Sequence, residues 1–299
     1  MKVLNFGSLN LDYVYSVDSF LRPGETKSAN GRNTFLGGKG FNQSVALAKA
    51  GAPVWHAGDA GESAGLFRQE LESCGAHTDF LRESGDVCGH AVIQVDRSGQ
   101  NCILIYHGSN YSIEESFVNE VLDRFSEGDI VVLQNEINAT HYIIDEAHRR
   151  GMRIALNPSP YDESIRAMPL EKLSWLILNE VEGKDLSGQD TEEGYVRWFR
   201  ERYPQLKVVV TLGKRGALYI DRETVLHHPS YDARIVDTTA AGDVFTGFFL
   251  AGEAMGRPIA ETMRIASKAA GISISRPGAS PSVPTMEEVE SIHLDLLQE

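Results

Sequence analysis

The stretch VDTTAAGDVFTGFFLAG, residues 236–252, places a turn of small residues directly before an apolar segment that we predict to be helical. Small residues let a ligand approach the backbone closely. The N–H groups of Ala241, Gly242 and Asp243 would then lie free at a helix N-terminus, where anions bind. Asp243 is therefore either the N-cap of an ordinary helix or a base that takes a proton from a hydroxyl group beside a bound phosphoryl group.

A second glycine-rich turn, LGGKGFNQ at residues 36–43, precedes another predicted helix, over residues 39–50, that Gly51 ends. Its three glycines leave little side-chain bulk, and the amide of Asn42 can both donate and accept hydrogen bonds with hydroxyl groups. The turn is not a Walker A loop, because Lys39 lies among the glycines and no Gly-Lys-Ser/Thr follows.

The two turns resemble the paired signatures of the ribokinase-like, or PfkB, family of carbohydrate kinases, and most of all those of its ribokinases. Five motifs, one of them within the second turn, also stand in the order of that family. The motifs are GSLNLD (7–12), GKGFN (38–42), NEVE (179–182), TLGKRG (211–216) and RPGASPSVP (276–284). The resemblance covers the chain from about Val3 to about Pro284. It implies one α/β kinase domain over residues 1–299, with a mostly parallel sheet, helices on both faces and a small β-sheet lid.

The resemblance implies ATP-dependent phosphorylation of a primary hydroxyl group on a small sugar, D-ribose or a similar pentose. Asp243 is then the catalytic base, and the anion hole is formed by Ala240, Ala241 and Gly242. The residues implied to bind the sugar are Asn10, Asp12, Gly38, Lys39, Asn42, Glu136 and Asp243. Those implied to bind ATP and its Mg²⁺ are Asn179, Glu182, Thr211, Gly213, Gly216, Gly242 and Ser267. Those implied to surround a monovalent cation, K⁺, are Asp237, Thr239, Ser273, Arg276, Gly278 and Ser282.

Two positions depart from the family pattern. Ser267 stands where many relatives carry Asn or His near the adenine, so the purine contact there is open. Phe41 replaces an Ala that is common in ribokinases, which weakens the case for D-ribose. A nucleoside needs apolar surface for its base, and Tyr13, Phe35 and Phe41 offer it.

Two pieces of the chain break the alternation of strands and helices that indicates a parallel α/β sheet. Residues 12–35 alternate in polarity around the turn signal at residues 22–25, and residues 91–95 and 101–106 are a predicted hairpin. They are either edge hairpins of the main sheet or a separate small sheet. The family resemblance implies the latter, a lid built from segments 12–36 and 88–107, with an exposed face through which two copies form a homodimer.

Composition limits the partners. The chain of 299 residues carries a net charge of −14 and no basic run, which argues against nucleic acid or an anionic membrane. We find no apolar run of roughly 18 residues and no secretory signal. The three cysteines, Cys74, Cys88 and Cys102, lack metal-ligand spacing and are interpreted as reduced thiols of a cytoplasmic protein.

The sequence offers four alternatives to a pentose kinase. The same reaction on fructose, a nucleoside or another small polyol stays open, whereas a sugar acid would favour a basic pocket rather than Asp12 and Glu136. A non-catalytic sugar or nucleotide sensor would not need Asp243. A dinucleotide oxidoreductase is disfavoured, because Gly7-Ser8-Leu9-Asn10 does not begin a G-x-G-x-x-G fingerprint.

Overall fold

The computed structural model describes residues 1–297, which form two β-sheets and the helices packed on them. The strands of the larger sheet, in spatial order, are β13 (Val225–His228), β12 (Ala217–Ile220), β11 (Lys207–Thr211), β10 (Trp175–Asn179), β9 (Arg153–Asn157), β8 (Ile130–Gln134), β1 (Val3–Phe6), β4 (Val54–Asp59) and β5 (His77–Arg82). From β11 to β5 all neighbours are parallel, and β12 and β13 are added antiparallel.

Helices cover both faces of this sheet, as the resemblance predicts. They are α1 (Lys39–Lys49), α2 (Ala64–Ser73), α3 (Glu115–Leu122), α4 (Thr140–Arg149), α5 (Glu180–Ser187), α6 (Glu192–Arg202), α7 (Ala241–Ala254), α8 (Ile259–Ser273) and α9 (Met286–Ser291). Val3 of β1 packs with residues of α1, α2, α7 and α8, whereas Leu4 and Phe6 pack with residues of α3, α4 and α6. Both faces of the strands are thus buried, which is why they appear in the sequence as continuous apolar runs.

The two pieces that break the alternation form a separate four-stranded sheet, and the edge-hairpin alternative is wrong. Its strands, in spatial order, are β3 (Gly31–Gly37), β2 (Asn10–Ser16), β6 (Gly89–Val95) and β7 (Asn101–Tyr106). β2 and β6 are parallel, and the other two pairings are antiparallel. Every residue of β7 is exposed, so the outer edge of this sheet faces solvent.

Several element predictions differ from the structure. β5 and β13 were not predicted, because each lies at an edge of the larger sheet and exposes alternate side chains. α5 was missed as well, since its short sequence has no apolar stripe. The last helix, α9, ends at Ser291, and Leu296 pairs with Tyr231 as an isolated antiparallel bridge. Within residues 1–297, no helix has the length and apolar character that crossing a bilayer requires.

The larger sheet places the predicted site at one edge. Gly7, Gln134, Asn157, Asn179 and Thr211 end or directly follow parallel strands, so they lie along the same carboxyl edge. Ligands of open α/β sheets bind outside this edge. The first turns of α1 and α7 meet there, and the two helices lie so close that a Cβ on Gly247 would collide with Ala46.

Candidate active site

The glycine turn brings residues 38–42 onto the connection between β1 and β2. Gly38, the N-cap of α1, has a φ of 93°, which favours glycine. A Cβ on Gly40 would collide with the backbone of Gly7 and Ser8, and the N–H of Phe41 donates to the carbonyl of Ser8 at 2.9 Å. The two N-terminal motifs, which are separate in sequence, therefore form one surface.

The residues implied to bind the sugar surround this surface. Gly37 lies against the carboxylate of Asp12, with no room for a Cβ between them. Glu136, which is 9% exposed, accepts hydrogen bonds from the N–H of Lys39 at 3.0 Å and from the hydroxyl of Ser8. Asn10 is also buried. The structure thus brings Asn10, Asp12, Lys39 and Glu136 together.

Asn110 belongs to this group and was not predicted. It lies in a short turn after β7 and is 1% exposed. Its Oδ1 accepts from the N–H of Leu9 at 2.9 Å, and its Nδ2 donates to Oδ1 of Asn10 at 2.8 Å. Asn110 therefore fixes the orientation of the Asn10 amide. No motif marks it, because only the fold brings this turn beside the end of β1.

The charges of the pocket are strongly coupled. Burial, helped by the negative charge of Glu136, raises the pKa of Asp12 to about 7. Burial opposes the charge of the Lys39 ammonium, but the carboxylates of Asp243, Glu136 and Glu182 outweigh it and raise the pKa of Lys39. Lys39 therefore keeps its positive charge in the field of these three carboxylates.

Asp243 lies in the first turn of α7 with its carboxylate buried. The N-cap is Ala240 and has no side-chain cap, so the N-cap interpretation of Asp243 is wrong. Gln43 Nε2 donates to Asp243 Oδ1 at 2.9 Å, and Asn42 Nδ2 donates to Oδ2 at 3.3 Å. Asn42 Oδ1 is buried and has no partner among the described residues, which leaves an acceptor for a ligand hydroxyl group.

The turn before α7 exposes backbone donors. Ala240 adopts the left-handed conformation, with a φ of 64°. The N–H of Ala241 already donates to the carbonyl of Thr238 at 3.3 Å, so it is less free than predicted. Within the described chain, no protein acceptor binds the N–H groups of Ala240, Gly242 and Asp243. These three amides are the available part of the anion hole.

A cavity of about 490 Å³ lies on the other side of this turn. Five residues implied to bind ATP line it, together with Ala241: Thr211, Gly213, Gly216, Gly242 and Ser267. Much of the remaining wall is apolar and includes Ile235, Phe245 and Ile274. Ser267 Oγ is buried without a partner in the described chain. The cavity has the size and lining that suit a flat heterocyclic base beside a polar phosphate end.

Asn179 and Glu182 do not line this cavity and have a structural role as well. They form a capping box at the start of α5, in which Asn179 Oδ1 accepts from the N–H of Glu182 at 2.9 Å and Glu182 Oε2 accepts from the N–H of Asn179 at 3.0 Å. β10 and β11 place Asn179 directly beside Thr211. One carboxylate oxygen of Glu182 is thus committed to the protein, and the other is left for a ligand.

The residues predicted around a monovalent cation lie on two segments that the fold joins. Asp237 accepts from the N–H of Thr239 at 2.9 Å and from that of Gly278 at 3.0 Å. The hydroxyl groups of Ser273 and Ser282 donate to nearby carbonyls. The Arg276 side chain instead pairs with Glu288 at 2.8 Å, which leaves its backbone carbonyl as the group that could contact a cation.

Phe41 does not face the sugar pocket. It is completely buried and packs edge-to-face on Phe67, with ring centroids 5.3 Å apart. The expectation that it lies beside the sugar or stacks on a nucleoside base is therefore wrong. Its bulk is accommodated by the core beneath α1, so this departure from the family pattern carries no argument about the substrate.

Comparison with known proteins agrees with this geometry. Residues 1–286 match the pfkB family carbohydrate kinase model. A ribokinase of Staphylococcus aureus is 30% identical over 97% of this chain and 99% of its own. The crystal structure of the Thermotoga maritima ribokinase is 33% identical with a TM-score of 0.86, over 97% of this chain and 98% of that one.

A third relative was solved with ligands. The structure of Arabidopsis thaliana ribokinase complexed with ribose and ATP has a TM-score of 0.85 and is 29% identical, over 97% of both chains. The family model matches nearly the whole chain, and the fold and the order of the motifs agree with it. The chain belongs to the pfkB family of carbohydrate kinases.

Proposed function

We propose that this enzyme transfers the γ-phosphoryl group of ATP to a primary hydroxyl group of D-ribose or a similar pentose. One observation carries the proposal. The buried carboxylate of Asp243 and the free N–H groups of Gly242 and Asp243 lie between a polar pocket and the 490 Å³ cavity. A base and an anion hole at the junction of two binding sites are what in-line phosphoryl transfer requires.

In this mechanism Asp243 takes the proton of the attacking hydroxyl group. The N–H groups of Gly242 and Asp243 stabilise the charge that develops on the transferring group, because they point from a helix N-terminus. Lys39 adds a positive charge within the same cluster and keeps the nearby carboxylates from repelling the phosphates unopposed. The two turns thus supply the base, the anion hole and a positive charge, whereas residues outside them, Asn10, Asp12 and Glu136, complete the sugar pocket.

The pocket supports a neutral polyol. Asn10, Asp12, Asn42 and Glu136 offer carboxylate and amide groups, which suit several hydroxyl groups at once. The relatives at about 30% identity are ribokinases, one of them solved with ribose and ATP, which favours a pentose. A nucleoside is less favoured, since Phe41 is excluded from contact with a base and only the lid residues Tyr13 and Phe35 are left.

The residues fit Mg²⁺ and K⁺. Within residues 1–297 there is no cluster of three or more His, Cys, Asp or Glu side chains for a metal. Mg²⁺ would therefore take its ligands from the ATP phosphates and from water, with Glu182 holding such a water, and it would neutralise phosphate charge. K⁺ would be held by Asp237, by the Thr239 hydroxyl and by carbonyls of residues 273–278 together with Ser282, all of which are oxygen donors.

We also propose a homodimer through the smaller sheet and a cytoplasmic location. Strand β7 lies at the edge of that sheet, and Ile103, Leu104 and Ile105 are 50%, 71% and 42% exposed. An exposed apolar edge strand is a template for pairing with a second chain. The free cysteines Cys74, Cys88 and Cys102 agree with a reducing compartment.

The test is a panel of substrates with Mg·ATP, which includes D-ribose, deoxyribose, fructose and nucleosides, assayed with the wild type and Asp243→Asn. We expect the highest kcat/KM with D-ribose and a fall in kcat of about two orders of magnitude or more in Asp243→Asn, with a smaller change in KM. Thr246→Val is the control, because its buried hydroxyl on the same helix has no partner. Near wild-type turnover of Asp243→Asn would show that Asp243 is not the base. A higher kcat/KM with a nucleoside than with D-ribose would contradict the proposed sugar substrate.

A further inference from the structure

Beneath the glycine turn lies a row of buried polar side chains that leads to Asp243. None of them belongs to the residues that the family resemblance marks for the site. The members are at most 1% exposed, and they are Asn5, Gln43, Ser44, His56 and Gln134. Buried polar groups that bond to one another in a row restrict each other's orientation, since each donor needs an acceptor.

Gln43 makes the contact with Asp243. Its Nε2 donates to Asp243 Oδ1 at 2.9 Å and lies 3.4 Å from Asn157 Oδ1, while its Oε1 accepts from Gln134 Nε2 at 2.7 Å. If the amide were reversed, its oxygen would face the Asp243 carboxylate and its nitrogen would face that of Gln134. Gln43 therefore has one orientation, in which it donates to Asp243.

The rest of the row fixes Gln134. Its Nε2 also donates to Asn5 Oδ1 at 2.9 Å, so both of its hydrogens are used. Asn5 Nδ2 donates to Ser44 Oγ at 2.8 Å, and Ser44 Oγ lies 2.8 Å from His56 Nδ1. Burial lowers the pKa of His56 to about 4, so the ring beside Ser44 is neutral. Asn5 Nδ2 also donates to the backbone carbonyl of Gly40 at 2.6 Å. A carbonyl can only accept, so it fixes the Asn5 amide and, through Asn5 Oδ1, the amide of Gln134.

We infer that Gln43 is a positioning residue for phosphoryl transfer, which holds Oδ1 of Asp243 so that Oδ2 is the oxygen that takes the proton of the sugar. Oδ2 has only the longer contact of 3.3 Å, with Nδ2 of Asn42, whose own Oδ1 is free for a hydroxyl group. A carboxylate with one oxygen bound to a rigid donor cannot rotate its second oxygen away from the substrate. The inference rests on the proposed role of Asp243 as base.

The charged side chains of this region meet at Lys39, at the start of the helix that carries Gln43, where the carboxylates of Asp243, Glu136 and Glu182 all act on the ammonium group. Gln43 is neutral, so Gln43→Met leaves these charges unchanged. A hydrogen bond to a carboxylate favours its charged form, so the loss of the Gln43 donor makes Asp243 easier to protonate. The acid limb of the pH profile of kcat should then move to higher pH, which a purely structural role of Gln43 would not cause.

The experiment compares Gln43→Met, which keeps the length without the donor, and Gln43→Glu, which keeps the shape and faces Asp243 with oxygen. kcat and both KM values are measured from pH 5 to pH 9, with D-ribose or Mg·ATP varied in turn while the other is saturating. We expect kcat to fall at least about tenfold, KM of the sugar to change less than about threefold, and the acid limb to move to higher pH. Ser44→Ala is the matched control, since the carbonyl of Gly40 still holds the Asn5 amide in this variant and the acid limb should stay in place.

A double variant distinguishes the positioning role of Gln43 from the role of Asp243 as the base. In the Asp243→Asn background, Gln43→Met should cause no further fall in kcat, because its effect acts through the lost carboxylate. Additive losses, or an acid limb that stays in place in both Gln43 variants, would overturn the positioning role. Wild-type kcat in Asp243→Asn alone would instead overturn the proposed base. Gln43→Glu decides the question if Gln43→Met does not fold, as judged by its thermal unfolding.

Discussion

Asp237 ties the turn before α7 to the segment after α8, because its Oδ2 accepts the N–H of Gly278 at 3.0 Å across 41 residues of sequence. Burial opposes the charge of Asp237, but the hydrogen bonds from Thr239 and Gly278 outweigh it and lower its pKa. The carboxylate is therefore kept charged directly beside the anion hole. An oxygen-lined cation site there would hold the turn that presents the N–H groups of Gly242 and Asp243.

We predict that K⁺ activates the enzyme through Asp237. kcat should be several-fold higher in K⁺ than in a bulky ammonium salt at equal ionic strength. Asp237→Asn should lower kcat and remove the difference, because an amide nitrogen would face one of the two N–H donors. Glu288→Gln, which disturbs the ion pair of Arg276 and the N-terminal capping box of α9 but leaves Asp237 in place, should keep the activation. Equal wild-type rates in both salts would contradict the cation site.

We predict that sugar binding strengthens as the pH rises through 7. The pKa of Asp12 is about 7 in the ligand-free protein, and a charged carboxylate is the better acceptor for sugar hydroxyl groups, so binding releases a proton. The charged fraction rises about tenfold between pH 6 and pH 8, and KM for the sugar should fall by about that factor. Steady-state kinetics at saturating ATP measures this.

Asp12→Asn provides the control for this prediction. Its KM for the sugar should be high and independent of pH, while KM for ATP stays close to that of the wild type. Because the folded-state pKa of Asp12 lies above its unfolded value, the carboxyl group stabilises the ligand-free fold at low pH, and this is lost as the pH rises through 7. Asp12→Asn should therefore raise Tm more at pH 8 than at pH 6. A flat wild-type KM would exclude Asp12 from the sugar site.

We predict that Ala240 sets the geometry of the anion hole at a cost in stability. It is the single non-glycine residue with positive φ in the described part of the chain. Ala240→Val should lower the free energy of unfolding by about 1–2 kcal/mol and reduce kcat, because a β-branched residue resists this conformation. Ala240→Gly should raise the free energy of unfolding by less than about 1 kcal/mol.

Chemical denaturation measures these differences. Ala270→Gly, within the regular helix α8, is the control. It should lower the free energy of unfolding by about 1 kcal/mol, whereas Ala240→Gly should raise it. Wild-type stability of Ala240→Val would show that residue 240 does not adopt the left-handed conformation in solution.

We predict that Leu104→Lys weakens the homodimer. Leu104 is 71% exposed on the edge strand β7, and a charge there would oppose the pairing of two apolar edges. Sedimentation should show a shift toward monomer, with the fold intact by circular dichroism. Val225→Lys, on the far edge strand β13 of the larger sheet, should leave the mass unchanged. A wild-type protein that sediments as a monomer would contradict this interface.

The local chemistry of the site was largely predictable. The glycines at 37, 38 and 40 predict a tight turn before a helix, and residues 240–243 predict a small turn before α7, because these residue types fix backbone conformation without distant partners. Alternating apolar runs predict the parallel sheet, since strands buried on both faces need continuous apolar sequence. β5 and β13 were not predicted from the sequence, because an edge strand does not need a continuous apolar run.

Other features follow from contacts between residues far apart in the chain. The position of Asn110 beside Asn10, the burial of Phe41 against Phe67 and the row from His56 to Gln43 have no local signature. The raised pKa of Asp12 likewise depends on Glu136, which lies on another segment. The sequence by itself determined which turns and strands form, because backbone conformation and burial pattern are local properties. Only the tertiary structure decided which side chains meet at the carboxyl edge of the sheet, because hydrogen bonds and pKa shifts depend on distances of a few ångströms that the whole fold sets.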